Sequence, residues 1–441
     1  MITLDYQPFS VVEDHGFRKL METLESRSQI SSRKHFSRSV VPKLYSVTRR
    51  HMEQALNHDL ETVKSMSLTI DLWTSRKQES YISVTNHYLN CDFEMKNCTL
   101  KCSHFPVQHT GSAIYHKLCQ LTSNWSISLP LTQIPIYVVS DNARNMNSVL
   151  TGKPVEHRSC AAHSLQLAVS DAVAKAGLDS LLKTCRSIVG HYKHSTKSRE
   201  MLQSLQKKLR LPEHSLIQMV DTRRNSTYIM LERLHEQKEA VAADLPHCGK
   251  ECLTAQEWNL IAGYVTILQP LFLATKELCR ENVPTLSMVR ESFINYISSR
   301  TGEQGSGIRL ARALLKSLTA RFHYIRDSRT HLIATTLDPR FMCVIMENHE
   351  ELQAKRLLIE VSKKNNVLHH AVIDRDGDPL EWWKSCRNYP HLAELTMHYL
   401  SILATSVASE RLFSKAGLTI STRHQNLSSS LAEKFVFLHD N

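Results

Sequence analysis

A chain of 441 residues is too long for one ordinary compact core, so several domains or one large interrupted domain are expected. Lys and Arg total 54 against 43 Asp and Glu, giving +11 with 24 neutral histidines, a balance that favours a polyanionic partner such as nucleic acid but also simply keeps a surface soluble. Eleven cysteines, an odd number without CxxC pairs, exclude a disulfide framework or zinc ribbon; with no signal-peptide pattern and no run of 18 apolar residues, a soluble intracellular protein without a membrane partner is expected.

Ser10-Val-Val-Glu13 has capping-box spacing, and Phe17, Leu20, Met21 and Leu24 then share one helical face, predicting a helix over 10–26. A basic helical stretch over about 31–64 carries Lys34, Arg38, Lys43, Arg49 and Arg50, either a solvated face or a phosphate-contacting one. From Met66 the pattern changes to strand-length apolar clusters: Ser67–Asp71, Tyr81–Tyr88 and Cys98–Phe105. Gly111–Ser123 reads as a helix, Ile134–Val139 as a buried strand, and His157–Cys160 as a short strand before a helix starting near Ala161. The order β-β-β-α-β-α-β suits a ribonuclease-H-like mixed sheet, so the expected class is α/β. More than two hundred helical residues follow, with a glycine-rich loop at 299–307 and no repeat.

Asp71 and Asp141 each close an apolar strand, so both carboxylates are expected at strand ends. Carboxylates gathered there can hold paired Mg²⁺ or Mn²⁺ ions about 3.5–4 Å apart for phosphoryl transfer. Either Asp alone reads first as a turn residue or helix cap. Cys160-x-x-His163 resembles half a zinc site without a second pair, so no zinc is expected in this chain. Ser430-Leu-Ala-Glu433 repeats the capping-box spacing, and Leu431, Phe435 and Leu438 share a face to be buried on the chain's own core or on a partner.

Several motifs in order resemble the hAT family of DNA transposases, in the branch that carries BED-type zinc fingers and includes the Ac elements: QPFSVVEDHGF at 7–17, LTIDLWTS at 68–75, VVSDNARNM at 138–146, CAAHSLQLAV at 160–169, DTRRNSTYIMLERL at 221–234, TLDPRF at 336–341, DPLEWW at 378–383 and ATSVASERLFSKAG at 404–417. The resemblance implies a catalytic, metal-binding Asp-Asp-Glu set at Asp71, Asp141 and Glu410. It implies DNA contacts from Cys160, His163, Arg223 and Arg224, and dimer contacts from Phe413, Leu431, Phe435 and Leu438. The implied layout is an N-terminal helical region at 1–65, the first part of the ribonuclease-H-like domain at 66–165, an all-α insertion at 166–395, and the domain's last part with the dimerisation region at 396–441. The implied protein is nuclear, binds double-stranded DNA, forms a homodimer or higher homo-oligomer, and uses Mg²⁺ or Mn²⁺ to cleave and transfer DNA strands.

Departures from the family pattern point to a second reading. No BED finger precedes QPFSVVED, the stretch between Phe341 and Asp378 is short for the family, and Arg224 stands where family members carry a tryptophan that stacks on a flipped base. Base–aromatic stacking is worth about 1–3 kcal/mol, so its loss weakens hairpin chemistry. A domesticated scaffold or transcriptional regulator that binds DNA or protein without catalysis is the alternative.

Overall fold

The computed structural model describes residues 1–441 apart from 1, 6, 26, 28, 76–77, 130–133, 143–145, 147–152, 221–222, 300–306, 343, 345, 347, 363–372, 387 and 413–427. Phe413, most of the 299–307 loop and residues 143–145 of the second aspartate motif therefore lie outside the described residues. The chain divides into a sheet unit, formed by 1–160, 281–287 and 333–441, and a helical unit, formed by 161–280 and 288–332.

The sheet unit is built on five strands: β1 (Met66–Thr74), β2 (Ser80–Leu89), β3 (Met95–His104), β4 (Ile136–Ser140) and β5 (Glu156–Ser159). Their order is β3-β2-β1-β4-β5; β1, β2 and β3 pair antiparallel, whereas β4 runs parallel to both β1 and β5. This is the mixed α/β, ribonuclease-H-like arrangement the element order predicted. Because side chains alternate across a strand, each strand serves two layers. Leu68, Ile70, Ile82, Val84 and Val138 pack in one core with Ile114 and Leu118 of helix Gly111–Ser123, Leu56 of helix Val41–Asp59, and Phe435 and Phe437 of the C-terminal helix Ser429–Asp440. Leu89 and Tyr137 pack in a second core with Leu337, Trp383, Leu392 and Ile402.

That second core moves a boundary. The all-α insertion expected over 166–395 closes far earlier, because the helices beyond 333 bury their apolar faces on the sheet. Two motifs fasten them. In TLDPRF, the buried carboxylate of Asp338 accepts from Arg340 (2.6 and 2.9 Å) and from Ser287 Oγ (2.6 Å), while Arg340 Nη2 donates to Pro284 O (3.1 Å). In DPLEWW, Asp378 caps helix Pro379–Ser385, and Trp383 Nε1 donates to Leu337 O (2.7 Å).

Both expected capping boxes resolve differently. Ser10–Glu13 falls within a 3-10 turn, Phe9–Glu13, and the helix begins afterwards at His15, leaving Leu20 and Leu24 exposed. At the C-terminus Ser428, not Ser430, caps the helix by accepting from Leu431 N. Glu433 is drawn away instead: Oε1 accepts from His104 N (3.1 Å) and Oε2 pairs with Lys101 (2.9 Å) on β3. A spacing rule describes one helix turn; here a neighbouring strand end offered better donors.

In the helical unit, helices Ala161–Lys175, Ser226–Glu236 and Ile308–Phe322 pack with Ala255–Leu278. The last is long and apolar enough to cross a membrane by length and composition, yet Trp258, Ile261, Tyr264, Leu268 and Leu271 are buried within this unit.

Candidate active site

The face of β1 that carries odd-numbered residues bears a row of small hydroxyls, Ser65, Ser67 and Thr69, each buried. All three bind the segment that leads into the third acidic motif. Ser65 Oγ hydrogen-bonds Ser401 Oγ at 2.7 Å, Ser67 Oγ accepts from Leu403 N at 3.1 Å, and Ser409 Oγ lies 2.7 Å from Thr69 Oγ1 and donates to Thr69 O at 3.0 Å. The next residue of the row is Asp71, and the next residue of the docked segment is Glu410. Leu412, one turn into helical residues 407–412, packs with Tyr81, Cys102 and Val436 beside Trp73, which stacks on Tyr81 at 4.7 Å. Glu410 is thus fixed from both sides.

Register supplies the second aspartate. β1 and β4 pair Ser67↔Tyr137 and Thr69↔Val139; Asp71 and Asp141 each lie two residues beyond that last pair. Adjacent strands lie about 4.8 Å apart. Cys160 closes the arrangement: its N–H donates to Ser140 O (2.7 Å), prolonging β5 alongside β4, and its Sγ accepts from Ser406 N (3.3 Å). Fully buried, Cys160 offers no surface to DNA; it ties the end of β4 to the Glu410 segment. His163 lies half-buried in the first turn of helix Ala161–Lys175, in the helical unit.

Electrostatics around the site are asymmetric. Burial pushes the His157 imidazole below its ordinary range, with Asp141 pulling the other way, and His157 Nε2 sits 2.9 Å from Ser140 Oγ. Behind Thr69 a buried polar chain runs through Thr85 Oγ1 (2.5 Å) to His87 Nε2 (2.7 Å). Burial lowers His87 to about 4, Asp440 opposing and Arg411 reinforcing the shift. Sequence reasoning missed this chain, although Ser406 and Ser409 stood within the quoted motif around Glu410.

The three carboxylates are half-buried and contribute only oxygen, a donor set that fits Mg²⁺ or Mn²⁺ and not a thiophilic ion. Among the described residues they do not form a group with every ligand atom within 4.8 Å of the others.

The remaining expected positions separate. Arg223 is exposed, and Arg224 lines a recess in the helical unit with Gln166, Asn225, Tyr228 and Phe272. There Tyr228 stacks on Phe272 at 4.6 Å, and Asn225, left-handed at φ 61°, donates its N–H to Gln166 Oε1 (3.2 Å). Leu431, Phe435 and Leu438, expected at a dimer contact, instead pack in the sheet unit's own core; Phe435 is fully buried with Phe9 edge-on at 5.2 Å.

Comparison with known families matches three stretches in this order: the ZBED1 RNase-like domain over 69–164, the ZBED1 RNase-like helical domain over 158–266, and the hAT family C-terminal dimerisation region over 363–441. The chain is of the hAT type. Human zinc finger BED domain-containing protein 4 is 26% identical over 509 residues, covering 100% of this chain and 43% of that protein. The putative AC transposase of Zea mays is 23% identical over 521 residues, covering 100% of this chain and 64% of its own. A putative transcriptional regulator, tpeD, of Talaromyces stipitatus is 23% identical over 324 residues, covering 65% and 38%. This hAT-type chain therefore spans less than two thirds of the length of each of these relatives.

Proposed function

We propose that this hAT-type chain is a nuclear, DNA-binding, dimerising protein whose sheet unit retains a metal-dependent site for DNA strand cleavage and transfer at Asp71, Asp141 and Glu410. The observation that supports the reading is the hydroxyl row of β1: it docks residues 401–409, next to Glu410, on the strand that carries Asp71, two residues beyond the β1–β4 ladder that Asp141 also follows by two. Asp71 and Asp141 would hold the ions from β1 and the end of β4, with Glu410 closing the set from its helix. Mg²⁺ or Mn²⁺ bound there supplies activation of a water or 3′-hydroxyl and stabilisation of the leaving oxygen. Trp73 and Leu412 keep the floor of the site apolar. The charge of +11 supports a duplex DNA partner, with exposed Arg223 for phosphate and Arg224 for stacking or phosphate in its aromatic recess. Homo-oligomer formation rests on the matched dimerisation region, and nuclear residence on relatives named as transposases and a transcriptional regulator.

Supercoiled plasmid incubated with the purified chain and Mn²⁺ or Mg²⁺ tests this. Wild type is expected to nick it, and Asp71→Asn or Asp141→Asn to fall to background while keeping salt-sensitive DNA binding. Equal nicking by wild type and Asp71→Asn sinks the assignment. A second reading, a domesticated regulator that binds without cutting, is favoured by Arg224 at the position where the family pattern has tryptophan; it predicts binding with no metal-dependent nicking by the wild type.

A further inference from the structure

Far along the chain from the three carboxylates, the helical unit gathers a different donor set. His191 lies in the last turn of helix Asp179–His194, Asp244 ends helix Lys238–Asp244, and Cys248 ends the 3-10 turn Leu245–Cys248. Among the described residues, ligand atoms of His191, Asp244 and Cys248 all lie within 4.8 Å of one another. Local geometry explains the pairing of the last two. Four residues apart on continuous helical turns, Asp244 and Cys248 share a face, and Gly249, left-handed at φ 60°, turns the chain away immediately afterwards.

Two further observations point to an absent ligand. Nε2 of His191 has less than 1 Å² of exposed surface and no hydrogen-bond partner, an orphan that native interiors rarely leave unexplained. Asp244, 5% exposed, is oriented from behind by Tyr192, whose hydroxyl donates to Oδ2 at 3.0 Å. A fixed carboxylate beside an unsatisfied imidazole and a thiol is the pattern of a ligand set held by an outer hydrogen bond. We propose that His191, Asp244 and Cys248 form a site for a thiophilic divalent cation, Zn²⁺ foremost, that braces the junction between helices Asp179–His194 and Lys238–Asp244.

A cysteine beside a histidine and an aspartate also resembles a nucleophile with its base. The contacts argue otherwise. The Cys248 thiol donates to Asp244 Oδ2 at 3.5 Å, whereas the His191 Nε2 makes no hydrogen bond to either. Burial and that carboxylate hold the thiol above its ordinary range, whereas a reactive cysteine is surrounded by groups that lower it. A dication reverses the balance at a stroke, since it favours the thiolate and neutralises the carboxylate. Three protein ligands leave a fourth position for solvent. This differs from the all-oxygen set on the sheet, and the proposal departs from the expectation that no zinc binds this chain.

The test is a titration of the purified, metal-stripped chain with Co²⁺, followed by its sulfur-to-cobalt charge-transfer band and then by displacement with Zn²⁺. One sulfur-bound ion per chain, with the band abolished in Cys248→Ser and binding weakened in His191→Ala, is the expected result. Tyr192→Phe, which keeps every ligand, is expected to weaken binding about 10–100-fold, as loss of an outer-shell partner does. No charge-transfer band in the wild type overturns the proposal before any variant is made, and so does a band that persists in Cys248→Ser.

Discussion

The two units place their polar groups by different means. In the sheet unit the contacts that aim Glu410 join residues more than three hundred positions apart: Ser65 to Ser401, Ser67 to Leu403, Thr69 to Ser409. In the helical unit the buried polar contacts are closer in sequence, Gln206 to Gln237 and Tyr192 to Asp244, and sit at helix ends. The difference teaches where specificity resides. A sheet fixes position by register, so one strand can present a row of small hydroxyls and leave the next residue on the same face, Asp71, for chemistry. Helices packed through Leu, Ile and aromatic faces fix position less sharply, so their polar clusters rely on local turns and, by our inference, on a metal.

Removing the clamp that joins 281–287 to Asp338 and Arg340 within the sheet unit should break the comparison most violently. Asp338 and Arg340 are 0% and 6% exposed, and deleting one partner of a buried pair typically costs about 3–5 kcal/mol, because the other charge stays buried. Arg340→Ala is therefore expected to unfold the sheet unit well before the helical unit in a denaturant titration followed by hydrogen exchange. A single cooperative transition, with both units lost together, contradicts the idea that they are separately held.

Acid should act on the same unit. His87 is buried and held near 4, below its ordinary 6.5, so the unfolded chain takes up a proton that the folded chain refuses. Stability from this group is complete above about pH 6.5, declines as pH falls toward 4, and changes no further below that. At about 1.4 kcal/mol for each pH unit, the span amounts to about 3 kcal/mol. Thermal melts between pH 7 and 4 should show this slope, and His87→Gln should flatten it. An unchanged slope in that variant removes His87 as its source.

Much of the sheet unit was legible in the sequence, for a physical reason. Buried strands must be short, apolar and bounded, so β1 to β5 fall within a few residues of the predicted spans, and helix Gly111–Ser123 coincides with its prediction. The same pattern set Asp141 just after β4, where it lies, but it closed β1 too early: β1 runs on to Thr74 and leaves Asp71 inside the strand, paired with Ser83 of β2. What sequence could not supply is which distant group satisfies a polar atom. Glu433 reads as half of a capping box, yet it serves β3; Leu431, Phe435 and Leu438 read as a partner-facing stripe, yet they fill the chain's own core. Periodicity says that a face must be buried without saying on what. His191, Asp244 and Cys248 escaped for the same cause: only the four-residue step from Asp244 to Cys248 is local, and His191 joins by tertiary packing.

The smallest expected effect on stability is also the sharpest test of the row on β1. Ser409→Ala removes a hydroxyl bound to Thr69 Oγ1 and Thr69 O, but Thr69 keeps Thr85 as a partner at 2.5 Å. The loss should therefore stay near the lower end of the roughly 1–3 kcal/mol that an orphaned buried group costs. Glu410, the neighbouring residue, loses the tether that holds it laterally against β1. If the sheet unit cuts DNA, a displacement of about 1 Å at a positioned group is enough to lower the rate about a hundredfold. Metal-dependent nicking should then fall far more than the melting temperature, and Ser409→Thr, which restores the hydroxyl, should recover part of it. Nicking that merely tracks stability across both variants means that register alone, without the hydroxyl row, is what holds Glu410 in place.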